Sequence, residues 1–341
     1  MSAPLLLLPL AQVPANQSTM YPTGVQAARI YSLFWGFVWV CTVVWVVVMI
    51  FMLWGALRAP ARRQTTVAED QPDTKPEPGR ERRMSIVVGG AVGVTTVILL
   101  VLMVSEFLTT RSLAGLAHSP NAKNAVNIAV TARQWWWEVQ YQDATPSNMV
   151  TTANEIHIPV GRPVVIQLQS PDVIHSFWVP NLAGKKDAVP GHPTQIWLRA
   201  DEPGFFQGQC AEFCGAQHAN MRFIVIAEPQ DKFDAWLDAQ RQPAREPTTD
   251  AQWRGKTIFL STTCATCHSI SGTPAFGRVG PNLTHVASRA VLAAGAVPNR
   301  PGHLAGWIID PQKIKPGTRM PQHSLPPADL RNLLEYLESL K

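Results

Sequence analysis

The stretch Gly208–Met221, GQCAEFCGAQHANM, places two cysteines, a histidine and a methionine within twelve residues. Thiolate, imidazole and thioether are the donors that soft and borderline transition metals select. Three chemistries compete for Cys210 and Cys214. A disulfide would leave His218 and Met221 without a role. Zinc accepts two cysteines and a histidine, but rarely a methionine. Copper accepts the whole set. A mononuclear blue-copper site needs one thiolate, two imidazoles and a weak methionine. Two thiolates can instead bridge two copper ions, each of which then needs a terminal imidazole. His218 supplies one. The second must arrive from elsewhere in the fold, and His175 in SPDVIHSFWVP is the first candidate, because its apolar neighbours would exclude water. His157 and His192 compete with it.

A second constellation lies downstream in STTCATCHSI. Cys264, Cys267 and His268 form C-x-x-C-H, the attachment motif for a c-type haem. The two thiols become thioethers to the vinyl groups, and the histidine becomes the proximal iron ligand. A redox C-x-x-C is the competing reading, and the adjacent histidine argues against it. Met320 in IKPGTRMPQ is the only methionine after residue 221 and is the candidate second axial ligand. His285, His303 and His323 are the alternatives. Histidine and methionine together raise the haem potential, which suits a donor to a copper site. The sequence holds no Ser/His/Asp set and no phosphate loop, so it reads as an electron carrier whose catalysis belongs to a partner.

These residues need elements to hold them. Of the 341 residues, 46% are hydrophobic and only 16% charged, which points to membrane segments. Ile30–Leu57 carries no charge, and neither does Met84–Ser105. Each is long enough to cross a bilayer. Cys41, inside the first, reads as a small apolar packing residue. The loop 58–83 collects Arg58, Arg62, Arg63, Lys75, Arg80, Arg82 and Arg83, which places it in the cytoplasm and everything after Leu108 outside. Residues 1–29 form an N-terminal segment whose apolar start is a candidate signal peptide without a basic beginning; its cleavage is left open. Glu81 and Glu106 at the ends of the second span read as solvated helix-end charge.

Past Ser112 the pattern turns to short alternating strands such as IQLQ and MRFIVIAEP, predicting an antiparallel β-sandwich over 112–230. Residues 231–250 contain Pro243 and Pro247 and read as a linker. Residues 251–341 read as a small helical unit, closing on PADLRNLLEYLESL with Leu330, Leu333, Leu334, Tyr336 and Leu337 along one face. The predicted fold class is α+β: a two-helix transmembrane hairpin, a cupredoxin-like sandwich and an all-α domain. The formal charge of +5 forms no basic stripe, so nucleic acid is excluded as a partner. The helical unit holds ten Lys and Arg against four Asp and Glu, and 112–230 holds seven against nine. Opposite signs favour docking of the two, although ordinary solvated surface explains them equally well.

PDVIHSFWVPNLAGKKDAVPGH followed by GQCAEFCGAQHANM resembles subunit II of haem–copper cytochrome c oxidases over about residues 25–230, with C-x-E-x-C-x3-H-x2-M complete. GPNLTHVASR and HLAGWIIDPQKIKPGTRMP are similar to class I cytochrome c domains fused to that subunit in caa3-type oxidases, over residues 251–341. The resemblance implies a binuclear copper centre, CuA, with Cys210 and Cys214 bridging and His175 and His218 terminal. Met221 and the backbone carbonyl of Glu212 would be weak ligands. The Glu212 carboxylate would face a magnesium ion shared with subunit I. Sharing one electron over two bridged ions lowers the reorganisation cost of transfer. The run QWWWEVQY reads first as aromatic core, and the resemblance adds an electron-entry role at Trp135 or Trp136. Implied partners are oxidase subunits I and III, with a soluble or membrane cytochrome c, or a quinol–cytochrome c reductase, as donor. The implied location is a bacterial inner membrane, multi-pass, with both redox domains on the periplasmic side. A copper-containing subunit of a nitric oxide reductase, or a membrane-anchored carrier without an oxidase partner, are the competing readings.

Overall fold

The structure, a computed structural model, describes residues 17–58, 78–117 and 124–341. The apolar start of the 1–29 segment, read as a candidate signal peptide, and most of the inter-span loop lie outside the described residues.

Two helices, α1 (Val25–Arg58) and α2 (Pro78–Ala117), cover the apolar spans and run beyond them at both ends. Their 34 and 40 residues correspond to about 51 and 60 Å at 1.5 Å per residue, more than a hydrocarbon core requires. No proline interrupts either helix after its first turn, so nothing stops them at the edge of the apolar run. Val43, Trp45, Phe51, Val97 and Leu100 are exposed along them, as lipid-facing residues must be. The hydroxyls of Thr42, Thr96 and Ser105 bond carbonyls one turn back, at 2.7, 2.9 and 2.8 Å, so they need no water. Two helices of this length and apolarity anchor the chain in a membrane. Cys41 is exposed on α1 among the described residues.

Of the described residues, 17–28, 116–117 and 124–341 form the globular unit. Its larger part is a sandwich of two five-stranded sheets. One sheet contains β1 (Val126–Arg133), β2 (Trp136–Tyr141), β3 (Val150–Ala153), β5 (Val164–Gln169) and β8 (Thr194–Leu198), in the order β3-β2-β1-β5-β8. The other contains β4 (Glu155–Pro159), β6 (His175–Trp178), β7 (Lys186–Ala188), β9 (Gly204–Cys210) and β10 (Arg222–Glu228), in the order β4-β10-β9-β6-β7. The sheets are mixed, which corrects the expectation of an antiparallel sandwich. β1 runs parallel to β5, and β10 parallel to β4. Alternation along a strand encodes which face is buried, and says nothing about the direction of the neighbour. Val126, Ile128, Val130 and Ala132 of β1 point inward, meeting Trp137, Phe177 and Phe223.

The segment expected to be a linker begins as a helix, α3 (Gln230–Gln240). Its Phe233, Trp236 and Leu237 pack onto the sandwich, so only its second half, from Arg241 to Thr249, is connecting chain. The C-terminal part is built from α4 (Asp250–Ser261), α5 (Cys264–Cys267), a two-stranded ribbon β11 (Val291–Leu292) and β12 (Val297–Pro298), α6 (Pro301–Ile309), α7 (Pro311–Ile314) and α8 (Pro327–Ser339). Thr249 caps α4 by accepting from the Gln252 amide at 3.2 Å. α4 crosses α8 at Gly255, where a Cβ would lie 2.0 Å from the Asn332 carbonyl oxygen, so only glycine permits the approach. Phe259, Leu333, Tyr336 and Leu337 fill the crossing.

Candidate metal centres

The first site forms where two paired strands of one sheet meet a loop. His175 opens β6 and Cys210 closes β9; the two strands pair through Phe177 and Cys210. The loop from Ala211 returns to Met221, and the Cys210 amide donates to the Met221 carbonyl at 2.9 Å, closing it. Gln134 and Trp135 fix its middle: the Gln134 amide group and the Trp135 indole both donate to the Cys214 carbonyl, at 2.8 and 2.9 Å.

Six donors then converge. Cys210 Sγ and Cys214 Sγ are 3.8 Å apart and both cysteines are free. His175 Nδ1 lies 3.9 Å from Cys210 Sγ, and His218 Nδ1 3.7 Å from Cys214 Sγ. Met221 Sδ is 3.8 Å from Cys214 Sγ, and the Glu212 carbonyl oxygen 3.2 Å from Cys210 Sγ. Atoms bound at about 2.0–2.3 Å around one tetrahedral ion sit roughly 3.3–3.8 Å from each other, so these spacings suit shared metal coordination. His175, Cys210, Cys214 and Met221 are buried, inside a wall of Trp137, Phe177 and Phe223.

The electrostatics agree. The hydrogen bond with Cys214, against the cost of burial and with help from His175, holds the Cys210 thiol well below its usual value. The hydrogen bond with Cys210, together with burial and the Cys210 charge, pushes Cys214 up. The two shifts run in opposite directions, so a bound cation would favour release of the second proton. Burial would lower the His175 pKa, but hydrogen bonds from Cys210 and Asp172 outweigh it and raise it.

Asp172 is a functional residue that sequence reading missed. Its Oδ1 lies 2.8 Å from His175 Nε2, fixing that ring with Nδ1 toward the sulfurs. The rivals of His175 stand elsewhere. His157 lies between Glu228 and Glu155, at 2.7 and 3.2 Å, stacked on Trp236; His192 is exposed. The Glu212 carboxylate faces outward, 3.7 Å from Lys185 Nζ.

The second site is a cavity of about 320 Å³ lined by Cys264, Cys267, His268 and Met320. His268 Nδ1–H donates to the Pro281 carbonyl at 2.7 Å, leaving Nε2 for a ligand. Burial holds its pKa below the usual histidine value, so the ring is neutral and able to bind iron. Gly280 backs the ring: a Cβ there would lie 2.4 Å from His268 Cε1. His323 also lines the cavity, whereas His285 Nε2–H donates to the Gln242 carbonyl at 3.1 Å, and His303 is not part of the lining. Arg289, also missed from sequence, lines the cavity with a buried Nε that has no partner among the described residues. Burial pulls its pKa down to about 10. An apolar pocket with two thiols, a pre-oriented imidazole and a buried guanidinium whose Nε has no partner among the described residues fits a haem, whose carboxylates would pair with that guanidinium.

Both Trp135 and Trp136 line this cavity. Trp135 alone also bonds the Cys214 carbonyl. Trp136 is half-buried, with the Arg133 guanidinium 5.9 Å from its ring centre.

Residues 144–228 match the family profile "Cytochrome C oxidase subunit II, periplasmic domain", and residues 253–341 match "Cytochrome c". Cytochrome c oxidase subunit 2 of Alkalihalophilus pseudofirmus is 41% identical over 219 residues, 64% of this chain and 62% of that protein. The chain thus spans less than two thirds of that relative's length. Cytochrome c oxidase subunit 2 of Bacillus sp. strain PS3 is 33% identical over 259 residues, 72% of this chain and 71% of that protein. The solved periplasmic domain of subunit II of cytochrome oxidase from Bradyrhizobium japonicum is 29% identical, with a TM-score of 0.32, covering 34% of this chain and 93% of that one.

Proposed function

Because this chain belongs to the cytochrome c oxidase subunit II family, we propose that it is the electron-entry subunit of a caa3-type oxidase. In that role it accepts electrons at its C-terminal domain and hands them through the copper site to subunit I, where oxygen is reduced to water with proton pumping. One observation carries the reading: Trp135 lines the haem-type pocket and bonds the loop that holds both cysteines.

Bound in these two sites, copper and haem c supply one-electron couples. Everything else is the work of the chain. Cys210 and Cys214 would hold both coppers, His175 and His218 would bind through Nδ1, and Met221 with the Glu212 carbonyl would complete the set. Asp172 fixes the His175 ring, so the donors are in place before and after a change of charge. Trp137, Phe177 and Phe223 keep water away. Cys264 and Cys267 would attach the haem, His268 and Met320 would be its ligands, and Arg289 would balance a haem carboxylate. Trp135 is the electron-entry residue to the copper loop, ahead of Trp136, because it alone touches the Cys214 carbonyl. The outward-facing Glu212 carboxylate offers a ligand for magnesium at a contact with subunit I. α1 and α2 cross a bacterial inner membrane with both redox domains on its periplasmic face, beside subunits I and III. A cytochrome c or a quinol–cytochrome c reductase delivers the electrons.

Oxygen uptake by the complex purified through this chain, with reduced cytochrome c as donor, tests the reading. Cyanide-sensitive uptake supports it. No uptake, with both metal sites filled and a haem-rich partner present, would reassign the chain to nitric oxide reduction.

A further inference from the structure

Lys315 follows α7 and is 2% exposed, yet it has no carboxylate at ion-pair distance among the described residues. Its ammonium carries three N–H donors. All three are used by backbone carbonyls: Trp135 O at 2.6 Å, Asn220 O at 2.7 Å and Ala293 O at 3.0 Å. The first two belong to the sandwich, and both sit at the copper loop: Trp135 bonds Cys214, and Asn220 lies between His218 and Met221. The third belongs to the turn after β11. A buried ammonium without an anion is costly, and an apolar side chain of the same length would fill the space more cheaply. What the ammonium adds is convergence: three carbonyls from three separate segments meet at one atom.

Other bonds cross at the same place. The Gln217 side-chain amide donates to the Pro316 carbonyl at 2.8 Å. The Arg222 amide donates to the Ala294 carbonyl at 3.0 Å, and the Ala290 amide to Glu155 Oε2 at 3.0 Å. Five residues beyond Lys315 stands Met320, so the segment that reaches across the interface is the same one that presents the candidate axial ligand.

We propose that Lys315 is a positioning residue for electron transfer within this chain: its ammonium pins the segment Lys315–Met320 against Trp135 and the copper loop. The haem pocket and the copper cradle are then held in one docked arrangement, not left to meet by diffusion on the linker. The electron-transfer consequence rests on the function proposed above. The pinning rests on the three carbonyls alone. Docked this way, Trp135 is covered by the haem domain, and an external donor reaches the haem side first.

The test compares wild type with Lys315→Met and Lys315→Arg in the assembled complex. Methionine keeps the length and removes every donor. Arginine keeps the charge but spreads its donors over a planar fork that three carbonyls converging on one atom cannot all engage. After photochemical injection of an electron into the haem, its reoxidation should slow at least tenfold in both variants and become dependent on solvent viscosity. Haem absorption and the copper spin resonance should be unchanged. Reoxidation within twofold of wild type and independent of viscosity in the methionine variant, or full recovery in the arginine variant, overturns the proposal. Hydrogen exchange at the Ala290 and Arg222 amides, which bond across the interface, reads the pinning without any electron transfer. Exchange should quicken at least tenfold in the variants, and unchanged exchange overturns the pinning. That readout decides the matter even where the spectra of a variant are altered, or where the complex reduces no oxygen.

Discussion

Asp172 Oδ1 sits 2.8 Å from His175 Nε2, and the other nitrogen of the same ring faces Cys210 Sγ at 3.9 Å. The carboxylate thus decides which nitrogen is left for a metal. It is itself held by the Gln134 and Val173 amides, at 2.8 and 2.7 Å. Against the effect of its burial, these bonds and the bond to His175 keep its pKa below the usual carboxylate value, so it stays charged.

Removing that carboxylate loosens the ring without touching a ligand. Asp172→Ala should weaken copper binding by about 10–100-fold, the usual cost of losing the group that orients a metal-bound histidine. Competition with a chelator of known affinity measures it. Unchanged affinity would mean that the strand holds His175 without help.

Trp135 and Trp136 make different contacts, and their variants should separate. Trp135→Phe keeps the ring and loses the bond to the Cys214 carbonyl. Haem reoxidation should slow by roughly tenfold, equivalent to about 1.4 kcal/mol on the barrier. Trp136→Phe should change it by less than about twofold. Equal effects would remove the assignment of Trp135 as the point of entry to the copper loop.

Gly280 has no room for a side chain beside His268. Gly280→Ala should displace the ring and leave the chain largely without covalent haem, read from haem absorbance on the denatured chain. Normal haem content would show that the Cys267–Pro281 loop yields more easily than its hydrogen bonds suggest. Those bonds are Gly280 N to Cys267 O at 2.8 Å and His268 Nδ1 to Pro281 O at 2.7 Å.

His157 gives the sandwich a pH signature. Burial alone would lower its pKa, but the bonds and charges of Glu155 and Glu228 outweigh burial and raise it. A raised folded-state value contributes stability that is fully present below the unfolded value of about 6.5. That stability is lost as pH rises through the folded value. The stability gap between wild type and His157→Gln should therefore be widest below about pH 6.5 and narrow in alkali. Thermal unfolding of the full chain across that range checks it, and a gap that does not change with pH contradicts it.

The parts of this account that were readable from sequence share one property: their ligands are close together along the chain. Cys210, Cys214, His218 and Met221 lie on one loop, and Cys264, Cys267 and His268 on one turn, so spacing alone displayed their chemistry. His175 was reachable because apolar neighbours and a missing imidazole both pointed to it. Asp172 escaped because nothing in its own surroundings marks it, and only the pairing of β6 with β9 brings its partner to the sulfurs. Lys315 was counted as one basic residue on a basic domain. It acts through backbone carbonyls, which every residue carries and no sequence pattern distinguishes. Arg289 likewise becomes notable only once its burial and its unpaired Nε are seen. The parallel pairs of β1 with β5 and of β10 with β4 were hidden because strand alternation fixes a face and not a neighbour. α3 is hidden within the linker because the two prolines that signal a break come after it.

The central claim is that two thiolates and two imidazoles hold a pair of copper ions sharing one electron. Electron paramagnetic resonance of the copper-loaded chain tests it most directly. One unpaired electron shared equally by two spin-3/2 nuclei gives seven hyperfine lines, and that is the predicted spectrum. Four lines would mean a single copper ion, and the bridging assignment of Cys210 and Cys214 would be wrong.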